Sequence, residues 1–445
     1  MERIVIEGAY VATLDPGRRE FTGHVVAEGN RLVAVGPGPA PAYDEARVID
    51  GRGCLVTPGF VNTHQHLYQW VTRGLAADAT LFEWLTTLYP VWARITEETV
   101  NVAARAALAH LALTGCTTVA DHHYVFPGGD LLAAEIDAAR EIGLRFHPAR
   151  GSMDRGQKDG GLPPDSVVED RDEILTATEA AIDRWHDPSP DSMLQIVVAP
   201  CSPFSVSGEL MRESAELARR RGARMHTHLA ETTDETAWCR ETYGCTPLEY
   251  ADRLGWTGPD VWFAHGIHFD DAEIKHLGGT GTGVAHCPSS NARLGAGIAR
   301  TADLRAAGSP VGLGVDGAAS NESGSLVEEL RHALLFARAR GGPQALTVRD
   351  ALEMATLDGA RILGRSADLG SLEPGKLADL ALWDLTGLAH AGIPDPIAAL
   401  TLSTPPPLAL LLANGRPVVE HGVLRTADER TLAADVARTQ NVLCR

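Results

Sequence analysis

Residues 207–228, SGELMRESAELARRRGARMHTH, decide the fold. Ser207 carries a side-chain oxygen that can satisfy the open N–H groups of a helix start, and Gly222 is the residue type that ends a helix in the left-handed conformation. Arg224 to His228 then reads as a strand, so the stretch is one helix followed by one strand with a histidine at its end. The same texture extends in both directions. Further candidate strands are Phe60 to His64, Thr117 to Asp121, Arg145 to Ala149, Gln195 to Ala199, Val261 to Ala264, Gly283 to His286 and Val311 to Val315. Helical signals fall between them. Thr96, followed by Glu97 and Glu98, reads as the N-cap of a helix that ends before Gly115, and Thr347-Val348-Arg349-Asp350 has the form of a capping box. Eight strand-then-helix units over roughly 300 residues fit a closed (β/α)8 barrel better than an open doubly wound sheet, which usually has fewer strands.

The two ends of the chain differ from this middle. His24 to Glu28 and Arg31 to Val35 flank Gly29-Asn30 as a hairpin, and Leu380 to Trp383, Leu408 to Leu412 and Pro417 to Val419 again look like short strands bounded by Gly and Pro. Neither end alone has enough strands to bury a face. The expected architecture is therefore α/β: a TIM-type barrel over residues 58–368, with a small β-sandwich domain assembled from residues 1–57 and 369–445.

Composition narrows the function. The 445 residues carry 58 acidic against 39 basic side chains, a formal charge of −19, so neither nucleic acid nor an anionic membrane surface is an expected partner. The opening Met1 to Glu7 alternates polar and apolar residues rather than forming a signal peptide, and the apolar run Leu408 to Ala413 is far too short to span a bilayer. Seven scattered cysteines without a C-x-x-C pair argue against a disulfide framework and a zinc knuckle. A cytoplasmic enzyme with a small-molecule substrate is the expectation.

In a barrel of this kind the active site lies where strands end at the C-terminal face. His64 and His66 close the first strand as H-x-H, and a strand period of two places both rings on one side. His228 ends the fifth strand and Asp316 follows the eighth. Three neutral imidazoles and one carboxylate suit a borderline-soft divalent ion and leave a position open for water. No Lys or Glu follows Ala199-Pro200-Cys201 to bridge a second ion, so one metal is the simpler reading. Glu231, three residues after His228, is placed to carry protons, and His265, ending the sixth strand, to support an oxyanion. The alternatives are structural: core histidines for His228 and His265, a helix-start acid for Glu231 and a turn residue for Asp316. His122, His123, His226 and His286 also fall near strand ends, as rings that orient ligands or as plain buried histidines. Gln69 and Arg150 are candidates to read the edge of a lactam ring, with loop structure as their alternative.

The stretches Pro58 to His66, His228-Leu229-Ala230-Glu231, Ala264-His265-Gly266, Cys287 to Asn291, Gly314 to Asn321 and Pro374 to Asp379 together resemble the amidohydrolase superfamily, in its deaminase and chlorohydrolase branch. The resemblance covers essentially the whole chain. It implies a metal, usually zinc with iron(II) as the alternative, held by His64, His66, His228 and Asp316. It also implies a proton relay and intermediate-binding role for Glu231, His265 and Asp316. Arg150 to Met153, Gly160 to Val168 and Ala199 to Ser207 are similar to 8-oxoguanine deaminases, some of which accept isocytosine. Relatives that act on nucleosides commonly carry a ribose-contacting His where this chain has Cys201, which points to a free base. The expected reaction is hydrolytic deamination of 8-oxoguanine to urate, or of isocytosine to uracil, by a homo-oligomer. The alternatives are a triazine amino- or chlorohydrolase, another purine or nucleoside deaminase, and a non-catalytic binding barrel.

Overall fold

The computed structural model describes residues 3–444. Eight parallel strands, Phe60–Asn62 (β1), Cys116–His123 (β2), Arg145–Ser152 (β3), Val197–Pro200 (β4), Arg224–Leu229 (β5), Val261–His265 (β6), Gly283–His286 (β7) and Val311–Leu313 (β8), close into a barrel. Each pairs with the next, and β8 returns to β1 through Leu313 and Asn62. Every expected barrel strand is present.

Their local causes are those of the sequence. Ser207 Oγ accepts from the Leu210 N–H at 3.1 Å to open the helix Gly208–Arg221, and Gly222 closes it at φ +68°. Thr96 Oγ1 accepts from the Thr99 N–H to open Glu97–Leu113, and Thr347 with Asp350 forms the capping box of Val348–Glu353.

Two strands end short of expectation, and one side chain lies at both ends. Asn62 Oδ1 accepts the Val315 N–H at 3.0 Å, while its Nδ2 donates to Gln65 Oε1 at 2.8 Å. The amide thus takes the Val315 N–H from the ladder while Thr63 N–H still reaches the Leu313 carbonyl, and β1 stops at Asn62 rather than His64 and β8 at Leu313 rather than Val315. His64 and His66 consequently lie beyond the strand, at the entry to a short 3-10 helix, Leu67–Thr72.

The remaining strands of both termini join one continuous nine-stranded, mostly antiparallel sheet rather than two separate sheets. Cys54–Pro58 makes it continuous by pairing with N-terminal Arg3–Ala12 on one side and C-terminal Leu380–Asp384 on the other. Ile6, Val25, Val56, Leu382 and Leu410 form its core. Inside the barrel, Val61, Ala120, Ala149, Ala199, Trp262 and Ile362 cluster into a packed plug, so function is confined to the barrel's ends. All seven cysteines are unpaired thiols, and among the described residues no helix is long and apolar enough to cross a membrane.

Candidate active site

The histidines converge at the C-terminal ends of the strands, and their hydrogen bonds assign the tautomers. His226 Nδ1 donates to the Trp262 carbonyl at 3.0 Å, so its Nε2 accepts from His64 Nδ1 at 2.8 Å. His66 Nδ1 donates to the His122 carbonyl at 2.6 Å, and His228 Nδ1 to the Cys201 carbonyl at 2.8 Å. In all three rings the Nε2 lone pair is left facing inward. Burial holds the rings neutral, pushing His66 down to about 3 and His228 well below the ordinary imidazole value.

Those lone pairs stand at revealing distances. His66 Nε2 is 3.2 Å from His228 Nε2, and Asp316 Oδ1 is 3.2 Å from His64 Nε2 and 3.4 Å from His66 Nε2. Donors about 2.0–2.1 Å from a tetrahedral ion stand about 3.4 Å from one another, so these are edges of a coordination polyhedron. Two facing nitrogen lone pairs would repel without a cation between them, and His64 Nε2 has no hydrogen-bond partner. The set fits a divalent metal. His122 also lies among these rings; its Nε2 donates to the Ala199 carbonyl at 2.9 Å, and its Nδ1 is buried without a hydrogen-bond partner.

Asp316 is fixed from behind. Its Oδ2 accepts from Ser290 Oγ at 2.5 Å and Ser320 Oγ at 3.3 Å, and its Oδ1 from the Gly317 N–H at 2.7 Å. Burial favours its neutral form, but the His64, His265 and His66 rings outweigh this and hold the carboxyl well below the usual range. Beside it, Glu231 Oε2 lies 3.6 Å from His265 Nε2, while His265 Nδ1 donates to Asn291 Oδ1 at 2.9 Å. Burial raises the Glu231 carboxyl above its ordinary value. His265 is lowered by burial but raised overall by the Glu231 and Asp316 carboxylates. Ala230, His265 and Asp316 all adopt the left-handed region, at φ +54°, +71° and +63°. Strained non-glycine residues clustered at one face are typical of functional sites.

A partly enclosed cavity stands over this centre. His66, His228, Glu231, His265 and Asp316 form its floor, and the helix Leu81–Trp92 contributes Phe82, Trp84 and Tyr89 to its walls. Phe82 and Phe204 meet edge to face with ring centroids 5.2 Å apart. Leu81, Leu85, Leu162 and Leu294 fill the walls between the aromatic rings, and Ser202 and Ser205 add hydroxyls.

The three expected ring-reading residues fare differently. Cys201 lines the cavity, and burial pushes its thiol up to about 12, so it is a neutral wall. Arg150 does not line it: the guanidinium pairs with Glu169 at 2.6 Å and packs over Phe126. Gln69 is likewise outside the lining, buried against Gly317, where an added Cβ would lie 1.8 Å from Gln69 Oε1. Arg150 sits near its strand end with the guanidinium taken up by the protein, whereas Gln69 lies in the 3-10 helix with its amide Oε1 and Nε2 buried and not hydrogen-bonded.

Sequence reasoning missed Glu235. Its carboxylate accepts from the Ala230 N–H at 2.9 Å and the Glu231 N–H at 3.0 Å, bracing the left-handed turn that carries Glu231. The available signal was Thr232-x-x-Glu235, a capping-box spacing at the start of Thr233–Tyr243. Ser290, Ser320 and Asn291, which hold Asp316 and His265, lie within quoted motifs without having been given roles.

A closed barrel with a buried histidine and carboxylate centre at its mouth defines a metal-dependent hydrolase. The chain belongs to the amidohydrolase family, whose model matches residues 55–418. It is 48% identical to an 8-oxoguanine deaminase of Pseudomonas aeruginosa over 420 residues, covering 94% of this chain and 93% of that one. It is 36% identical to an isoxanthopterin deaminase from an unknown prokaryotic organism, covering 94% and 91%. Among solved structures, an atrazine chlorohydrolase from Arthrobacter aurescens complexed with zinc superposes with a TM-score of 0.94 at 34% identity, covering 98% and 100%.

Proposed function

We propose that this chain is a hydrolytic deaminase of aminated free bases, converting 8-oxoguanine and water to urate and ammonia, with isocytosine to uracil as a second reaction. One zinc per chain, held by His64, His66, His228 and Asp316, is the cofactor. The observation that carries the reading is the set of inward donors at tetrahedral edge distances beneath a cavity with aromatic rings in its walls. The 48% identity to an 8-oxoguanine deaminase supports the substrate. Seven free thiols support a reducing, cytoplasmic setting.

The bound ion supplies Lewis acidity and lowers the pKa of water. Asp316 Oδ1, facing His64 and His66 Nε2, is placed to take a proton from the attacking water. Burial raises the Glu231 carboxyl above its ordinary value, which suits it to pass a proton to the ring nitrogen beside the amine-bearing carbon. Because His265 Nδ1–H is committed to Asn291, the ring can donate from Nε2 only as the imidazolium. In that form it steadies the developing oxyanion. Asp316 then gives its proton to the exocyclic amine while Glu231 takes back the hydroxyl proton, so that collapse breaks the C–N bond and releases ammonia. The test is incubation of the metal-loaded protein with 8-oxoguanine. One ammonia per urate is expected, and turnover without ammonia release would contradict the reading.

A further inference from the structure

A second cavity lies at the opposite, N-terminal end of the barrel. It encloses about 700 Å³, mouth included, and is lined by His147, His186, Gln195, Arg224, Arg365 and Asp368. His147, Gln195 and Arg224 come from the starts of β3, β4 and β5, His186 from the end of the helix Arg171–Trp185, and Arg365 and Asp368 from the segment that leads towards the C-terminal strands of the sheet.

Its chemistry is cationic and unfinished. Arg224 Nε, Arg365 Nε and His147 Nε2 are buried without a hydrogen-bond partner, and the Arg365 and His147 residues are only 3% and 1% exposed. Arg365 is locked in place by donating to the Ser192 carbonyl at 3.3 Å and the Pro190 carbonyl at 2.7 Å. Arg224 donates to the Pro259 carbonyl at 2.5 Å. Gly364, at φ +69°, lets its guanidinium lie against the chain, since an added Cβ would stand 2.8 Å from Arg224 Nη1. His186 Nδ1 accepts the Ile196 N–H at 3.1 Å, which leaves its other nitrogen as a donor.

The acids nearby are largely spoken for. Asp379 pairs with Arg145 at 3.3 Å and Asp260 with Arg219 at 2.9 Å, while Asp368 stands 3.7 Å from Arg365 Nε. Arg224 has no ion-pair partner among the described residues. Burial pushes its guanidinium down to about 10, and His147 is held well below its ordinary value by burial and by Arg365, Arg145 and Arg224. Arg224 is half-buried with no acid partner and the buried Arg365 Nε reaches only Asp368 at 3.7 Å, so an anion between the two would complete both guanidinium groups.

We propose that this cavity binds a small, multiply charged oxyanion of the inorganic phosphate type, bridging Arg224 and Arg365. The anion would pin the segment after the last barrel helix to β3, β4 and β5, and so act on stability rather than on turnover. The site is independent of the metal centre and of the substrate assignment.

The test is equilibrium dialysis of the metal-loaded, full-length protein against labelled inorganic phosphate, with ionic strength fixed by chloride. Saturable binding of one phosphate per chain is expected, with a Tm that rises roughly 2–3 °C at a hundredfold excess over Kd and does not respond to chloride. Arg224→Gln should weaken binding by about 10–100-fold, the worth of a charge-assisted contact, while deamination kinetics stay unchanged. His147→Asn carries the same test should Arg224→Gln fold poorly. Absence of saturable binding up to about 10 mM phosphate overturns the proposal. So does stoichiometric binding that survives both substitutions, which would place the anion elsewhere.

Discussion

Glu235→Gln isolates the brace behind the proton-carrying residue. In the native chain both carboxylate oxygens are occupied, one by the Ala230 N–H at 2.9 Å and one by the Glu231 N–H at 3.0 Å. Glutamine keeps the shape but turns one acceptor into an NH2 group facing a donor. Leaving one buried N–H unpaired costs about 1–3 kcal/mol. The left-handed Ala230 that it supports, at φ +54°, is itself a conformation costing an L-residue roughly 1–2 kcal/mol. The two terms are of the same size, so the turn should relax and carry the Glu231 carboxyl out of line with His265. At 1.36 kcal/mol per decade, a loss of about 10–100-fold in kcat is expected. KM and metal content should change little, because His228 is oriented separately by the Cys201 carbonyl. Burial raises Glu235 to about 7, and protonation removes an acceptor. The wild type should therefore lose activity as pH falls through that value, with the variant lacking this limb. Steady-state ammonia release from pH 5.5 to 9, with metal analysis and a thermal melt, reads all of these. A variant that melts earlier but keeps kcat within twofold and retains the acid limb would refute the bracing role.

Glu231→Gln should keep its metal and lose at least about a hundredfold in kcat, checked by elemental analysis alongside turnover; metal loss would make Glu231 a ligand instead. Arg150→Gln should lower the melting temperature through loss of its Glu169 pair while leaving KM for 8-oxoguanine within about twofold, because the guanidinium is outside the cavity. Burial raises Glu135 from the ordinary carboxyl value to about 8, beside His123 Nδ1 at 2.7 Å and the raised Asp121. The folded chain then holds a proton that the unfolded chain releases, so this group's contribution to stability falls between about pH 4.5 and 8, by at most about 1.4 kcal/mol per unit. Glu135→Gln cannot ionise, and its melting temperature relative to wild type should climb across that window; a flat difference would contradict the shift.

What could be read from the sequence was what short-range chemistry determines. Ser207, Thr96 and Thr347 cap helices through neighbours two or three residues away, and the eight strands are apolar runs between such helices. The histidine and carboxylate set was legible from its places after the first, fifth and eighth strands, and the family resemblance pointed to the same residues. What escaped depends on contacts distant in sequence. The amide of Asn62 lies where β1 and β8 end and bonds Val315, more than two hundred residues away, and His64 and His66 fall beyond the strand. Arg150 is near the end of β3 as expected, but Phe126 and Glu169 turn its side chain away from the cavity. Gln69 follows the H-x-H pair at close spacing, yet the 3-10 turn aims it at Gly317. Glu235 was visible as a capping residue; that it reaches past its own N-cap to Ala230 and Glu231 was not.

The central claim, a free-base deaminase built on this metal centre, is tested most directly by ranking kcat/KM for the metal-loaded protein. The substrates are 8-oxoguanine, its nucleoside, guanine, isocytosine, adenosine and a chlorotriazine. A cavity walled by Phe82, Trp84, Tyr89, Phe204 and the neutral Cys201 thiol, where the Ser202 and Ser205 hydroxyls bond each other at 3.1 Å, gives a sugar few uncommitted partners on those walls, and each unsatisfied group costs about 1–3 kcal/mol. The account requires 8-oxoguanine to lead, its nucleoside to fall behind by roughly tenfold or more, and isocytosine to be accepted. A ranking led by adenosine or by the chlorotriazine would contradict it.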